Sequence, residues 1–181
     1  MMLLRTETKH ENDSRRGGLR RSRQNHVCQD DRAGNHLPTL RLTQVIARPA
    51  RDVFKVIIDA GSFASWNPTI TKSRQISDGD PGPDAEFEWE LRGFGAVRQH
   101  LDEFEVDRRV RIVPEMRSLS GGHRFTLVDL GNETRVDHEL EMTPKGAFVL
   151  MAPMIWFTGR RNLRATAEAL RRRVENATAG R

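Results

Sequence analysis

Two histidines, His123 and His138, are the side chains of this sequence best suited to acid–base chemistry. They lie in the segments HRFTL and RVDHELEM, where apolar residues recur at every second position. Alternate residues of an extended chain share one face, so both histidines are predicted on an apolar face. A histidine there could act as a general base or acid, because its pKa lies near neutrality, or could hydrogen-bond a carbonyl or hydroxyl of a bound molecule.

The alternative is that both histidines are structural. Each could be a core residue whose ring nitrogens bond to the backbone, or could sit near solvent at the end of a strand. His123 directly follows Gly121 and Gly122, which places it at a predicted strand start and favours the structural interpretation there. His138 lies inside its segment and is the first candidate for catalysis, so the sequence leaves both roles open.

Other catalytic and metal-binding patterns are absent from the sequence. It contains no nucleophile elbow, phosphate-binding glycine loop or zinc-ligand spacing. Cys28 is the only cysteine, which excludes an internal disulfide and argues against a cysteine metal site. We therefore expect neither a metal nor another cofactor. Glu86, Glu88 and Glu90 alternate with apolar residues, and we interpret them as a solvated face rather than as catalytic carboxylates.

Seven strands are predicted around these residues. The alternating segments lie at about 39–48, 69–76, 85–92, 97–106, 110–114, 123–127 and 136–142. The alternation slips near Glu103, because Leu101 and Phe104 are three residues apart, and this predicts a β-bulge. Residues 118–122 are predicted to form a turn. Strands joined in this way form an antiparallel sheet with one charged and one apolar face.

Two short helices are predicted between the first and second strands. The segment ARDVFKVIIDA has apolar residues at helical spacing after Pro49, and SFASW could form one further turn. Asn67 precedes Pro68, a pair that should end this turn and redirect the chain. Trp66 is then expected to anchor the short helices against the end of the sheet.

A single long helix is predicted from about residue 146 to 177. Apolar residues recur there with a spacing of four, three and four residues, at Leu163, Ala167, Leu170 and Val174. Pro153 either starts this helix at an early turn or kinks it. One long helix against the apolar face of an antiparallel sheet is an α+β arrangement.

Composition divides the chain of 181 residues into two parts. Residues 1–37 carry eight Lys or Arg and five Asp or Glu without hydrophobic periodicity, and are predicted to be a disordered basic tail. Residues 38–181 are long enough for one substantial core and are predicted to form a single domain. The basic tail could contact nucleic acid or anionic lipid, although no specific nucleic acid is expected. The longest apolar run, 147–157, is too short to span a bilayer, so a cytoplasmic protein is predicted.

Four segments resemble the START-like, or SRPBCC, helix-grip superfamily, which includes polyketide cyclases/dehydrases and lipid-transport domains. ARDVFKVIIDAGSFASWNP is similar to its first-helix segment, and EFEVDRRVRIV to its turn between the fourth and fifth strands. GGHRFTLVDLGNETRVDHELEM is similar to its last hairpin, and RRNLRATAEALRRRVE to its C-terminal helix. The resemblance covers residues 38–177. It implies a seven-stranded curved antiparallel sheet wrapped around a long C-terminal helix.

The resemblance also implies a hydrophobic cavity between the sheet and the long helix. The strand pattern indicates which side chains would line it if it exists. Those residues are Phe87, Trp89, Leu91, Leu101, Ile112, Phe125, Leu127, Leu140 and Met142 on the sheet, Met151, Met154 and Ile155 from the helical segment, and Trp66 at one end. Methionine adapts to varied shapes, which suits a plastic pocket. The same pattern is equally typical of an ordinary packed core.

The resemblance supports several functions. The first is the binding of a hydrophobic small molecule such as a lipid, a polyketide or a quinone-like compound. The second is a polyketide cyclase/aromatase or dehydratase that uses a cavity histidine, although the absence of tyrosine removes one kind of hydrogen-bond donor. The third is a chaperone- or ribosome-associated interaction protein. Transient membrane contact through 147–157 is a further idea. Enzymatic activity, the ligand and the oligomeric state stay open.

Overall fold

The computed structural model describes residues 37–176. Its strands are β1 (Leu40–Ile46), β2 (Ile70–Gln75), β3 (Glu86–Leu91), β4 (Gly95–Glu105), β5 (Arg109–Pro114), β6 (Leu119–Asp129) and β7 (Thr134–Pro144). Its helices are α1 (Ala50–Ile58) and α2 (Ala152–Asn176), with short 3₁₀ helices at Ala60–Ser65 and Gly146–Met151. The predicted tail, residues 1–37, lies outside the described residues except for Leu37, whose N–H donates to the carbonyl of Met142.

All seven strands form one curved antiparallel sheet in the order β1-β7-β6-β5-β4-β3-β2. Strands β2 to β7 follow one another as a meander. β1 pairs with β7 at the opposite edge, because α1 and the first 3₁₀ helix carry the chain across the sheet before β2 begins. Helix α2 packs on the concave face. The predicted α+β arrangement and its order of elements are confirmed.

The predicted β-bulge is present in β4. The pairing of β4 with β5 shifts register between Asp102 and Glu105. Glu103 has a φ of 48°, the left-handed conformation that a bulge residue adopts. The bulge lets Leu101 and Phe104 both face inward despite their odd spacing.

The start of β6 differs from the prediction. Residues 118–122 were expected to turn, but β6 begins at Leu119, and Gly121 and Gly122 pair with Met142 and Glu141 of β7. The prediction was wrong because two glycines were interpreted as a turn. They are required instead by close packing: a Cβ on Gly121 would lie 2.0 Å from the carbonyl oxygen of Glu141.

Two clusters of buried apolar residues fill the concave side. The larger joins α1, the first 3₁₀ helix, the sheet and the end of α2 around Phe54, Phe125 and Leu170. The smaller lies around Leu140 and Leu163. The two clusters are separate, and the cavity described below is lined by members of both.

Trp66 and Asn67 have different roles at the end of the short helices. Trp66 packs on Phe63 with ring centroids 4.6 Å apart, which agrees with an anchoring position. Asn67 is buried, and its Oδ1 accepts hydrogen bonds from the backbone N–H and hydroxyl of Thr69. Its Nδ2 donates to the hydroxyl of Thr166 on α2 at 3.3 Å. Asn67 therefore ties the turn to the long helix.

The outer face of the sheet carries ion pairs between neighbouring strands. Arg124 bonds to Glu103, Glu139 and Glu141, and these carboxylates raise the pKa of its guanidinium. Arg74 pairs with Glu88 at 2.7 Å. These groups all have partners and lie on the side of the sheet away from α2. They therefore offer no catalytic pair of carboxylates.

Candidate functional site

A cavity of about 270 Å³ lies between the concave face of the sheet and α2. Several residues predicted to line a pocket do line it: Trp89, Leu91, Phe125, Leu140, Met142, Met154 and Ile155. They come from β3, β6, β7 and the first turns of α2. His123 and Gln99 also face this space.

The other predicted lining residues lie elsewhere. They are Trp66, Phe87, Leu101, Ile112, Leu127 and Met151. Phe87, Leu101, Ile112 and Leu127 are buried in the larger apolar cluster, where the concave face is filled by packed side chains. Trp66 lies beside Pro68 and the C-terminal end of α2, and Met151 is exposed on the second 3₁₀ helix.

One wall of the cavity is a fixed aromatic pair. Trp89 stacks on Phe63 with ring centroids 4.9 Å apart and an angle of 26° between the planes. The indole Nε1–H of Trp89 donates to the carbonyl of Ala60 at 2.8 Å, so the first 3₁₀ helix holds the ring in place. A rigid aromatic surface favours flat ligands, which can stack on it.

The two histidines form a pair at the opposite wall. Nδ1 of His123 lies 2.9 Å from Nε2 of His138, and the ring of His138 stacks on Phe125 at 4.1 Å. His123 lines the cavity, whereas His138 lies behind it and is only 1% exposed. The residue that the sequence ranked second therefore contacts the cavity, and the one ranked first supports it.

The hydrogen-bond network assigns the tautomers of this pair. Nδ1 of His138 is buried without a partner. An unpaired buried N–H is less favourable than an unpaired acceptor, so we place the proton of His138 on Nε2, from which it donates to Nδ1 of His123. His123 then carries its own proton on Nε2. That nitrogen has no partner among residues 37–176 and presents an N–H to the cavity.

Burial keeps both rings neutral. It lowers the pKa of His123 to about 4, and it lowers the pKa of His138 well below its ordinary value, with repulsion from His123 adding to the effect on His138. Between pH 6.5 and 4 the unfolded chain therefore binds more protons than the native protein at these positions. The free energy of unfolding is therefore fully retained above pH 6.5 and decreases as the pH falls toward 4.

Comparison of the wild type with His123→Leu tests whether burial keeps His123 neutral. We expect the wild type to lose about 2 kcal/mol more of its free energy of unfolding between pH 6.5 and 4 than the variant, after allowance for the partial exposure of His123 to the cavity. Urea unfolding at a series of pH values measures the difference. The variant retains every carboxylate, so their titration cancels. Parallel pH profiles would show that His123 is not held neutral by burial.

Gln99 is a polar cavity residue that the sequence pattern did not single out. It lies on β4 between Val97 and Leu101, on the inward face, and is 2% exposed. Its side-chain amide has no hydrogen-bond partner among residues 37–176 and is not sealed off from the cavity. The signal that could have found it is a polar residue at an apolar position of an alternating strand.

The mouth of the cavity lies at the start of α2. Arg92, Phe94 and Met154 line this side and are exposed. Phe94 also contacts Phe148, with ring centroids 6.4 Å apart, which joins the turn between β3 and β4 to the second 3₁₀ helix. Glu141 lines the cavity as well, but its carboxylate pairs with Arg124 on the outer face. The deep part of the cavity is therefore free of charged groups contributed by residues 37–176.

Residues 37–176 contain neither a candidate metal site nor a candidate membrane-spanning helix. Within 37–176, no three histidine, cysteine or acidic side chains come close enough together to hold a metal ion. None of the helices in that range has both the length and the apolar character that a membrane span requires.

Comparisons with known proteins concern the family and the fold of this chain. The family model described as polyketide cyclase / dehydrase and lipid transport matches residues 38–175. No sequence among the curated proteins matches the chain.

Solved structures share the fold at low sequence identity. A START superfamily protein from Mycobacterium smegmatis superposes with a TM-score of 0.64 at 20% identity, covering 79% of this chain and 99% of that one. The Zhui aromatase/cyclase from a Streptomyces species gives 0.65 at 17%, covering 79% and 98%. Truncated norcoclaurine synthase from Thalictrum flavum gives 0.60 at 15%, covering 77% and 95%. At these identities the likeness concerns the helix-grip fold alone.

Proposed function

Because the chain belongs to the polyketide cyclase / dehydrase and lipid transport family, we propose that it binds a small, neutral, largely apolar molecule in the cavity between the sheet and α2. The observation that carries this proposal is the cavity itself. It combines a fixed aromatic wall with inward polar groups, on Gln99 and His123, that have no partner among residues 37–176. A packed core would leave neither the space nor the unpaired groups.

The volume of the cavity and the lack of charge in its deep part limit which ligands can bind. A volume of about 270 Å³ lies just below the range of roughly 300–1,000 Å³ that is typical of small-molecule sites. It suits a compound of one or two rings better than a sterol or a long acyl chain. A charged ligand would lose its hydration without gaining a counter-ion, because Arg92 stays at the exposed rim. A quinone-like compound or a short cyclised polyketide fits these limits.

Ligand occupancy tests the proposal. Native mass spectrometry of the purified protein, followed by titration with naphthalene and β-naphthol, should detect a one-to-one complex and a raised melting temperature. The proposal fails if neither these compounds nor a hydrophobic extract gives a bound species or a shift in melting temperature.

Catalysis is the second candidate, and the position of His123 on the cavity wall, with its proton assigned to Nε2, is what favours it. An N–H aimed into an apolar cavity could stabilise the oxygen of an enolate, as a cyclase or dehydratase requires. His138 would then be a positioning residue that fixes the tautomer of His123. With this tautomer the pair supplies a donor but no base, which favours binding over catalysis. Turnover of a polyketide-type substrate that survives unchanged in His123→Leu would exclude the role of His123.

Contact with a membrane during ligand loading is a separate proposal, based on the apolar surface beside the mouth. Leu150, Met154 and Phe157 are 88%, 56% and 69% exposed and lie along one side of the second 3₁₀ helix and the start of α2. Arg160 and Arg161 follow on the same helix and are also exposed. Apolar residues beside cations favour the surface of an anionic bilayer.

Met154→Asp should weaken binding to vesicles that contain phosphatidylserine by about fivefold to tenfold, because it replaces inserted apolar area with a charge. Vesicle co-sedimentation measures this. Val106→Asp is the matched control, since Val106 is an apolar residue that is at least as exposed but lies in the turn between β4 and β5. Equal binding by the two variants, or no preference for anionic over neutral vesicles, would contradict the proposal.

A further inference from the structure

The amide of Gln99 is buried among apolar side chains without a partner. Its cross-strand neighbours are Phe87 on β3 and Pro114 on β5, and its neighbours on the same face of β4 are Val97 and Leu101. None of these side chains can donate or accept a hydrogen bond. An amide that reaches only a small apolar cavity destabilises the folded protein, because it has lost most of its bonds to water. Its presence on this face therefore calls for a partner from outside the chain.

Gln99 and His123 lie on opposite sides of the cavity floor. Gln99 is opposite Pro114 in the register of β4 with β5, whereas Leu101 is opposite Ile112 and Ile112 is opposite His123. The two residues are thus two strands and two residues apart, which corresponds to about 12 Å between their Cα atoms. Both side chains reach toward the same space. A ligand between them would meet one polar group at each end, and the Trp89–Phe63 pair would lie beside its Gln99 end, because Trp89 is on β3 beyond Gln99.

We propose that Gln99 determines ligand specificity by bonding a second polar group, so that the cavity selects flat neutral compounds of about two rings with an oxygen at each end. One oxygen accepts from Nε2 of His123. The other meets the amide of Gln99, which can donate to a carbonyl or accept from a hydroxyl. This inference rests on the proposed binding function and names the chemical class of the ligand.

Three probes of increasing polarity test it: naphthalene, β-naphthol and the naphthalenediol with hydroxyls at opposite ends of the ring system. In the wild type the second hydroxyl should tighten binding about tenfold over β-naphthol, since it satisfies a buried amide. In Gln99→Leu, which keeps the side chain close to its original size, this gain should fall to about twofold or less. Naphthalene should bind the variant at least as tightly as the wild type. Isothermal titration calorimetry measures all three affinities.

Melting temperature gives a second readout. Gln99→Leu should raise the melting temperature of the free protein by about 2–4 °C, because it removes an unsatisfied buried group. Gln44→Leu is the matched control: Nε2 of Gln44 donates to the carbonyl of Ala167 at 2.9 Å, outside the cavity. That variant should lower the melting temperature and leave the preference for the diol intact.

The outcomes separate the two proposals. If neither naphthalene, β-naphthol nor a hydrophobic extract binds the wild type, the binding function fails and this inference fails with it; if the extract binds but naphthalene and β-naphthol do not, this inference alone fails. If they bind, but the diol gains nothing in the wild type or keeps its gain in Gln99→Leu, the role of Gln99 alone is overturned. A fall in melting temperature for Gln99→Leu equal to that of Gln44→Leu would also overturn it, because the amide would then have a partner within the protein.

Discussion

Asn162→Trp should weaken the binding of β-naphthol by about a hundredfold or more, which corresponds to about 2.7 kcal/mol of binding free energy. The loss arises because the ligand can no longer bury its apolar surface in the cavity. Asn162 lines the cavity from α2 and shares a helix face with Gly159 and Thr166, which line it too. Its side chain makes no hydrogen bond to the described residues, so the replacement breaks none. An indole at this position points toward the sheet and occupies the space that the ligand needs.

Arg161→Trp is the matched control for this prediction. Arg161 is the preceding residue of the same helix but is exposed to solvent. The same indole there should leave the affinity for β-naphthol within about twofold of the wild type. Fluorescence titration of β-naphthol against both variants measures the difference, and circular dichroism checks that α2 remains folded. Equal affinity in the two variants would place the ligand outside the cavity.

Gly121→Ala should lower the free energy of unfolding by about 4 kcal/mol, a large fraction of the roughly 5–15 kcal/mol that is typical of a single domain. Gly121 has a φ of 130°, where residues with a Cβ are strained. The new methyl group would also lie 2.0 Å from the carbonyl oxygen of Glu141 and 2.6 Å from its carbonyl carbon. Those atoms belong to the backbone of β7 and cannot move without disrupting the β6–β7 pairing.

Gly131→Ala is the control that separates backbone strain from the steric clash of the added methyl group. Gly131 has a φ of 88° in the turn between β6 and β7, and a Cβ there would meet nothing within 4 Å. This replacement should therefore reduce the free energy of unfolding by only about 1 kcal/mol, from conformational strain alone. Urea denaturation of both variants measures the two effects. Similar losses would mean that β6 does not pass as closely against β7 at Gly121 as the structure indicates.

The strands and their inward faces could be predicted because alternation is a local property. The strict alternation of β3 correctly put Phe87, Trp89 and Leu91 on one face and the glutamates on the other. The bulge in β4 could also be predicted, because Leu101 and Phe104 are three residues apart and both face inward only if the strand contains an extra residue. The beginning of β6 was not, because the pattern of two glycines is the same for a turn and for a strand that passes close to its neighbour.

Position along the sheet could not be predicted, and it decides which inward residues touch the cavity. Phe87 and Trp89 share one face of β3, yet only Trp89 lines the cavity. The difference depends on where helix α1 and the end of α2 fill the concave side, which is set by tertiary packing. For the same reason the sequence could place both histidines on the apolar face but could not show that His138 lies behind His123.

The central claim is that a neutral aromatic compound binds between the sheet and α2. Nuclear Overhauser effects between the ring protons of bound β-naphthol and the methyl groups of the protein test it most directly. We predict effects to the methyl groups of Leu140, Met142 and Ile155, which line the cavity. Effects confined to surface residues such as Leu150, or none from a ligand that demonstrably binds, would contradict the account.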